Sequence, residues 1–156
     1  MTGLAQECFS TSPGKVPAVK DEGRRAGPPA GRAGRQALGA FGERVAAAHL
    51  ESKGYRILER NYRCREGEID IVATGGGCLV FVEVRTRRGQ ERGSAVESVG
   101  PAKGARLAAL AQAYCQERPD LPPDRRIDVV AVELSPAGRL LSIQHIENAV
   151  GEEGLP

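Results

Sequence analysis

The stretch Gly67-Glu68-Ile69-Asp70-Ile71-Val72-Ala73-Thr74-Gly75-Gly76-Gly77-Cys78-Leu79-Val80-Phe81-Val82-Glu83-Val84-Arg85-Thr86 decides how this chain folds. Glu68 to Ala73 and Leu79 to Thr86 are rich in β-branched residues. Thr74 to Gly77 supplies the small, turn-forming residues between them, so the two runs are expected as an antiparallel hairpin. Side chains alternate faces along a strand, which groups Ile69 with Ile71 and, on the other side, Glu68 with Asp70 and Val72. In the second run Val80, Val82 and Val84 make an apolar row, while Phe81, Glu83 and Arg85 share the opposite face. The glycines lie between two strands and lead into no helix, which marks them as turn residues and not as a phosphate-cradling loop.

On the N-terminal side, Leu38, Phe41, Val45 and Ala48 recur at three- and four-residue steps from Ala37 onward, and Lys53-Gly54 ends the pattern. That spacing predicts an amphipathic helix with a glycine stop. Tyr55 to Tyr62 reads as an irregular strand and Arg63 to Gly67 as a turn. On the C-terminal side a polar connection, Gln90 to Gly100, precedes an alanine-rich helix from Pro101 to Arg118, with Leu107, Leu110, Ala111 and Tyr114 on one face and Pro101 accommodated in its first turn. Ile127 to Leu134 and Leu140 to Ile146 are two further strands around the Ser135-Pro136-Ala137-Gly138 turn. The order is α-β-β-β-α-β-β. A helix between the third and fourth strands favours a right-handed crossover, so the expected fold is α/β, a mixed five-stranded sheet flanked by helices.

The chain has 156 residues, 22 Lys and Arg against 20 Asp and Glu, and a formal net charge of +2. Residues 1–36 hold six basic and three acidic side chains, which leaves 16 against 17 for the remainder, a body of net charge −1. Residues 1–36 also contain six Gly and four Pro without apolar periodicity, and read as a disordered extension. Residues 37–150 have the size of one domain with its own core, and 151–156 read as a flexible end. No apolar stretch approaches the ~18 residues of a membrane span, and no secretory leader is apparent, so the expectation is a cytoplasmic protein that does not enter a membrane. Cys8, Cys64, Cys78 and Cys115 are too widely spaced for a zinc knuckle or a Cys-x-x-Cys redox pair.

Neighbouring strands of a hairpin lie about 4.8 Å apart, so Asp70 and Glu83 can converge across the ladder. Close carboxylates repel and raise each other's pKa unless a divalent cation neutralises them, and hard oxygen donors suit Mg²⁺ or Mn²⁺. A cation held by Asp70 and Glu83 with Arg85 beside it is the arrangement phosphodiester hydrolysis requires: the metal activates water, and metal and guanidinium offset charge on the phosphate. The competing reading pairs these acids with Arg63, Arg65, Arg87 and Arg88 on a solvated face. The spacing Glu-x-Asp, glycine hairpin, apolar strand, Glu-Val-Arg is more specific than a lone acid pair.

Gly42-Glu43, Arg60-Asn61-Tyr62-Arg63, Gly67 to Val72, Val80 to Arg87, Lys103 and Arg126-Ile127-Asp128-Val129-Val130 together resemble the YraN-type family of bacterial proteins. That family is similar to archaeal Holliday-junction resolvases and to the PD-(D/E)xK nuclease superfamily, and the resemblance runs from about Leu38 to Val150. It implies a restriction-endonuclease-like domain in which Asp70 and Glu83 are metal ligands and Glu43 is an additional acid reaching the metal. Glu68 becomes either an alternate ligand or an acid that supports the ligands without touching the metal, and Arg85 stands where the superfamily has its signature lysine. Arginine stays charged and cannot act as a base, so Arg85 would orient and stabilise charge only.

Arg87, Arg88 and Lys103 are the candidates for contacts to nucleic-acid phosphates. Asp128, beside Arg126 in an apolar strand, reads as a paired structural acid. His49 and His145 have no partner acid at helical or strand spacing and read as packing or surface residues. Tyr55 and Tyr62 are expected in the core. The leading expectation is a Mg²⁺- or Mn²⁺-dependent nuclease acting on structured or branched DNA, for which a homodimer would suit a symmetric junction. A non-catalytic nucleic-acid-binding module of the same fold is the alternative.

Overall fold

The structure, a computed structural model, describes residues 31–89 and 99–151. The greater part of the expected N-terminal extension, most of the polar connection before the second helix, and 152–156 lie outside the described residues. The elements are α1 (Arg32–Ser52), β1 (Arg56–Cys64), β2 (Gly67–Gly75), β3 (Cys78–Arg88), α2 (Pro101–Gln116), β4 (Arg125–Leu134) and β5 (Leu140–Ile146). The chain order is therefore α-β-β-β-α-β-β, and the five strands form one mixed sheet in the order β1-β2-β3-β4-β5. Every neighbouring pair is antiparallel except β3 and β4, which run parallel and are joined through α2. A parallel pair needs a long crossover connection, and α2 supplies it.

Gly75 pairs with Cys78, leaving Gly76 and Gly77 as a two-residue turn with φ of 60° and 78°. Two successive positive φ angles match the right-handed twist of the flanking strands, and glycine adopts them without a steric penalty.

The sheet is covered on both faces. Under α2, Leu107, Leu110, Ala111 and Tyr114 meet Val72, Leu79, Phe81 and Ile127. The Tyr114 ring makes edge-on contacts with Tyr62 at 4.9 Å and Phe81 at 5.7 Å, so these three aromatic residues are spent on packing. Under α1, Ala46, Ala47 and Leu50 meet Ile71, Ala73, Val80, Val82, Val130 and Val132.

Two expectations are corrected here. Helix α1 begins at Arg32, five residues before Ala37, so 32–36 belong to the helix and not to the extension. Arg32, Ala33, Arg35 and Gln36 are good helix formers, and the glycine-rich sequence before them obscured that preference. The buried stripe of α1 also runs through Gly42, Ala46, Ala47 and Leu50, while Ala48 is exposed. Small residues carry this contact because α1 lies close to β3. A Cβ on Gly42 would overlap the Thr86 hydroxyl and come within 2.9 Å of Thr86 Cβ. Gly42→Ala is therefore expected to cost about 1–3 kcal/mol, measured by urea denaturation, because helix or strand must give way. An unchanged midpoint would show that Thr86 can turn aside.

Candidate functional site

The cleft originates where β2 leaves β3. Their pairing runs from Gly75 opposite Cys78 to Ile71 opposite Val82 and stops there. Beyond it, β2 stays with β1 as far as Gly67 opposite Cys64, and β3 stays with β4 as far as Arg88 opposite Leu134. Asp70 and Glu83, the next residues in the same register, thus flank the opening. Ile69 packs in the cluster under α2 and Ile71 in the cluster under α1, so the expected grouping of these two isoleucines does not hold across Asp70, where β2 is released from the β3 ladder.

Asp70 partly replaces the lost strand pairing: its Oδ2 accepts a hydrogen bond of 2.7 Å from the Val84 backbone N–H. Its carboxylate therefore has a fixed position and a fixed direction. The opening is a cleft of about 480 Å³ lined by Glu68, Asp70 and Glu83 from the strands and by Lys103 and Arg106 from α2, with Leu107 and Leu110 completing the wall.

Glu83 is buried, with 8% of its surface exposed. Its Oε1 accepts a hydrogen bond of 2.5 Å from Lys103 Nζ and faces Arg85 Nε at 3.5 Å. Asp70, in contrast, forms no salt bridge like that of Lys103 with Glu83 among the described residues. Burial pushes its pKa up to about 7, the Glu83 charge adds to the rise, the Val84 N–H opposes it, and Glu43 and Glu68 push it further up. Asp70 thus lies within the field of carboxylates from three separate elements, α1 among them. A carboxyl in that state gains from a bound cation, whose charge reverses the balance.

Among the described residues no group of three His, Cys, Asp or Glu side chains stands ready as a metal cage. The donors at the cleft nonetheless suit Mg²⁺ or Mn²⁺. Such ions take one or two carboxylates and fill the remaining positions with water and substrate oxygens, and Asp70 and Glu83 provide two carboxylates on one cleft.

The structure thus places Asp70, Glu83, Arg85 and Lys103 together, with Glu43 acting on Asp70 from α1 without lining the cleft. Arg88 is directed elsewhere: its Nε donates to the Pro136 carbonyl at 2.8 Å, across the turn between β4 and β5. Strand alternation sets Arg87 on the same face as Glu83 and Arg85. Arg106 was absent from the sequence-derived candidates, although its position three residues after Lys103, on the same helix face, could have signalled it.

A second polar cluster was also missed, and His145 is not alone. Its Nε2 lies 2.7 Å from Asp128 Oδ2 and its Nδ1 lies 2.8 Å from Lys53 Nζ. Asp128, fully buried, also accepts hydrogen bonds from Arg126 Nε at 2.8 Å and from the Asn148 N–H at 2.9 Å. Burial alone would raise the Asp128 pKa; the bonds from His145, Arg126 and Asn148 outweigh it and hold the carboxyl below its ordinary value. Asp128 alternates with Ile127, which packs under α2, and so belongs to the face opposite the cleft. The cluster ties the end of α1 to β4 and β5.

Together the fold and the cleft define an α/β protein with helices on both faces of a mixed sheet and a carboxylate and lysine site where two strands part. The chain belongs to the uncharacterised protein family UPF0102, which matches residues 42–132 and so includes Glu43, Asp70, Glu83, Arg85, Lys103 and Asp128. It is 52% identical over 120 residues to a UPF0102 protein of Roseiflexus castenholzii, covering 76% of this chain and 96% of that one. A UPF0102 protein of Pelotomaculum thermopropionicum is 48% identical over 115 residues, covering 74% and 96%. Among solved structures, SfsA of Pyrococcus furiosus in complex with Ca²⁺ is similar at 16% identity and a TM-score of 0.34, over 74% of this chain and 64% of that one. A likeness that distant carries no argument about this chain.

Proposed function

We propose that the protein is a Mg²⁺- or Mn²⁺-dependent nuclease that hydrolyses phosphodiester bonds in structured or branched DNA. The observation that carries this reading is the meeting of Asp70, pushed up to about 7, with buried Glu83 in one cleft that also holds Lys103 and Arg106. Asp70 and Glu83 would hold the metal, with Glu43 adding negative charge from α1. The ion, when bound, would supply Lewis-acid activation of water and of the phosphate. A guanidinium cannot act as a base, so the role of Arg85 is to orient and to offset charge on the phosphate. Lys103 and Arg106 add positive charge on the helix side of the same cleft, where a backbone phosphate would lie. Action on a symmetric junction calls for two such sites and hence a homodimer. The compartment proposed is the cytoplasm; no helix among the described residues is long and apolar enough to cross a membrane.

The test is incubation of the full chain with labelled junction, flap and duplex DNA in Mg²⁺, in Mn²⁺ and in EDTA. Cleavage is expected only with metal, and most strongly on branched substrates. The second reading, a non-catalytic nucleic-acid-binding module, draws on Arg85 in place of a lysine and on the cations around the cleft. It expects equal binding in EDTA, no turnover on any substrate, and log affinity falling steeply with log salt.

A further inference from the structure

Lys103 is the third residue of α2, whose first turn contains no acidic residue and whose N-terminus has no side-chain cap. A lysine there faces the positive end of the helix dipole and costs the helix stability. What compensates it is Glu83, whose Oε1 receives the ammonium at 2.5 Å. The same carboxylate is the one a metal would need. Arg85 also faces Glu83 Oε1, at 3.5 Å, but it is anchored on the same strand two residues away, whereas Lys103 reaches it from the helix on a flexible four-carbon stem. Of the two cations, Lys103 is the one whose tether permits departure.

We propose that Lys103 is a displaceable counter-ion: its ammonium neutralises Glu83 while the metal site is empty, leaves when a divalent cation takes Glu83, and then faces the substrate phosphate. This rests on the metal-dependent reading above. Two effects of opposite sign follow. Removing the ammonium frees Glu83 for metal, so metal affinity rises. It also removes a phosphate contact that exists only in the metal-loaded protein, so nucleic-acid affinity falls there.

The experiment titrates the full chain with Mn²⁺ by calorimetry, comparing the original protein with Lys103→Met, Arg106→Met and Asp70→Asn. Arg106 lines the same cleft, but its Nε donates to the Glu66 carbonyl at 2.9 Å and not to Glu83, so it reports the general field of a nearby cation. Lys103→Met is expected to bind Mn²⁺ about fivefold more tightly, the size of a partly exposed ion pair, and Arg106→Met by about twofold or less. Affinity for a short phosphorothioate duplex, which resists hydrolysis, is expected to fall about fivefold in Lys103→Met with Mn²⁺ present and to change little in EDTA. If Lys103→Met binds Mn²⁺ no more tightly than Arg106→Met, or weakens the duplex equally with and without metal, the displacement is wrong while the metal site stands. If Asp70→Asn binds Mn²⁺ as well as the original protein, the metal reading itself fails, and this inference with it.

Discussion

Asp70→Asn is expected to abolish metal-dependent cleavage, by about 10³-fold or more, and at the same time to make the metal-free protein more stable. The two effects share one cause. Burial and the neighbouring Glu83 raise the Asp70 pKa from 3.8 to about 7. The folded state therefore holds the Asp70 proton more tightly than the unfolded state does, and ionisation works against folding. The penalty is absent below pH 3.8, grows as pH rises towards about 7, and is constant above that. Asparagine keeps the size and an oxygen that can accept from Val84 N–H but carries no charge. In urea denaturation with EDTA, the variant should match the original protein under acid conditions and exceed it by about 2 kcal/mol at alkaline pH, after allowance for water in an open cleft. Added Mg²⁺ should narrow the gap, because a ligand that binds the folded state alone stabilises it. Cleavage that survives in Asp70→Asn, or in an Asp70→Ala, Glu83→Ala double variant, would mean that the activity arises elsewhere. Equal stability of Asp70→Asn and the original protein at all pH values would remove the electrostatic account of the site.

The second large effect is structural and lies on the other face of the sheet. Asp128→Ala is expected to destabilise the fold by about 3–5 kcal/mol, because removing one partner of a buried charged network leaves the others without compensation. Arg126 Nε loses its acceptor at 2.8 Å, His145 Nε2 its partner at 2.7 Å, and the Asn148 N–H its carboxylate at 2.9 Å. Asp128→Asn, which keeps the shape, should cost less. The pH dependence has the opposite sign to that of Asp70. The Asp128 carboxyl is held below its ordinary value, so its contribution is present above that value and is lost as pH falls through the folded-state pKa. Acid unfolding curves of Asp128→Asn and the original protein should therefore converge at low pH. A loss of less than about 1 kcal/mol in Asp128→Ala would show that water reaches the cluster and replaces the carboxylate.

The element order was legible in the sequence because its signals are local. The valine row of β3, the two glycines with positive φ and the Leu107, Leu110 and Tyr114 face of α2 each declare themselves within a few residues. The beginning of α1 was not legible, because helix-favouring Arg32, Ala33, Arg35 and Gln36 are interrupted by Gly34 and directly follow a glycine-rich stretch with no apolar period of its own. Asp70, Glu83 and Arg85 were legible for a related reason: one hairpin carries all three, and alternation along its strands shows that they can converge.

The local pattern of this chain determined the kind of strands and helices, their order, and the candidate acids on one hairpin. Only the tertiary structure decided where β2 parts from β3, which turns two facing acids into the walls of a cleft. It also decided which distant charges complete each group: Lys103 on Glu83, 20 positions away, and His145 on Asp128, 17 positions away. Periodicity tells a side chain which face of its own element it occupies. Whether that face meets a carboxylate or solvent depends on how the strands and helices pack together, and here α2 delivers a lysine to the opening while the end of α1 is pinned beside a buried aspartate.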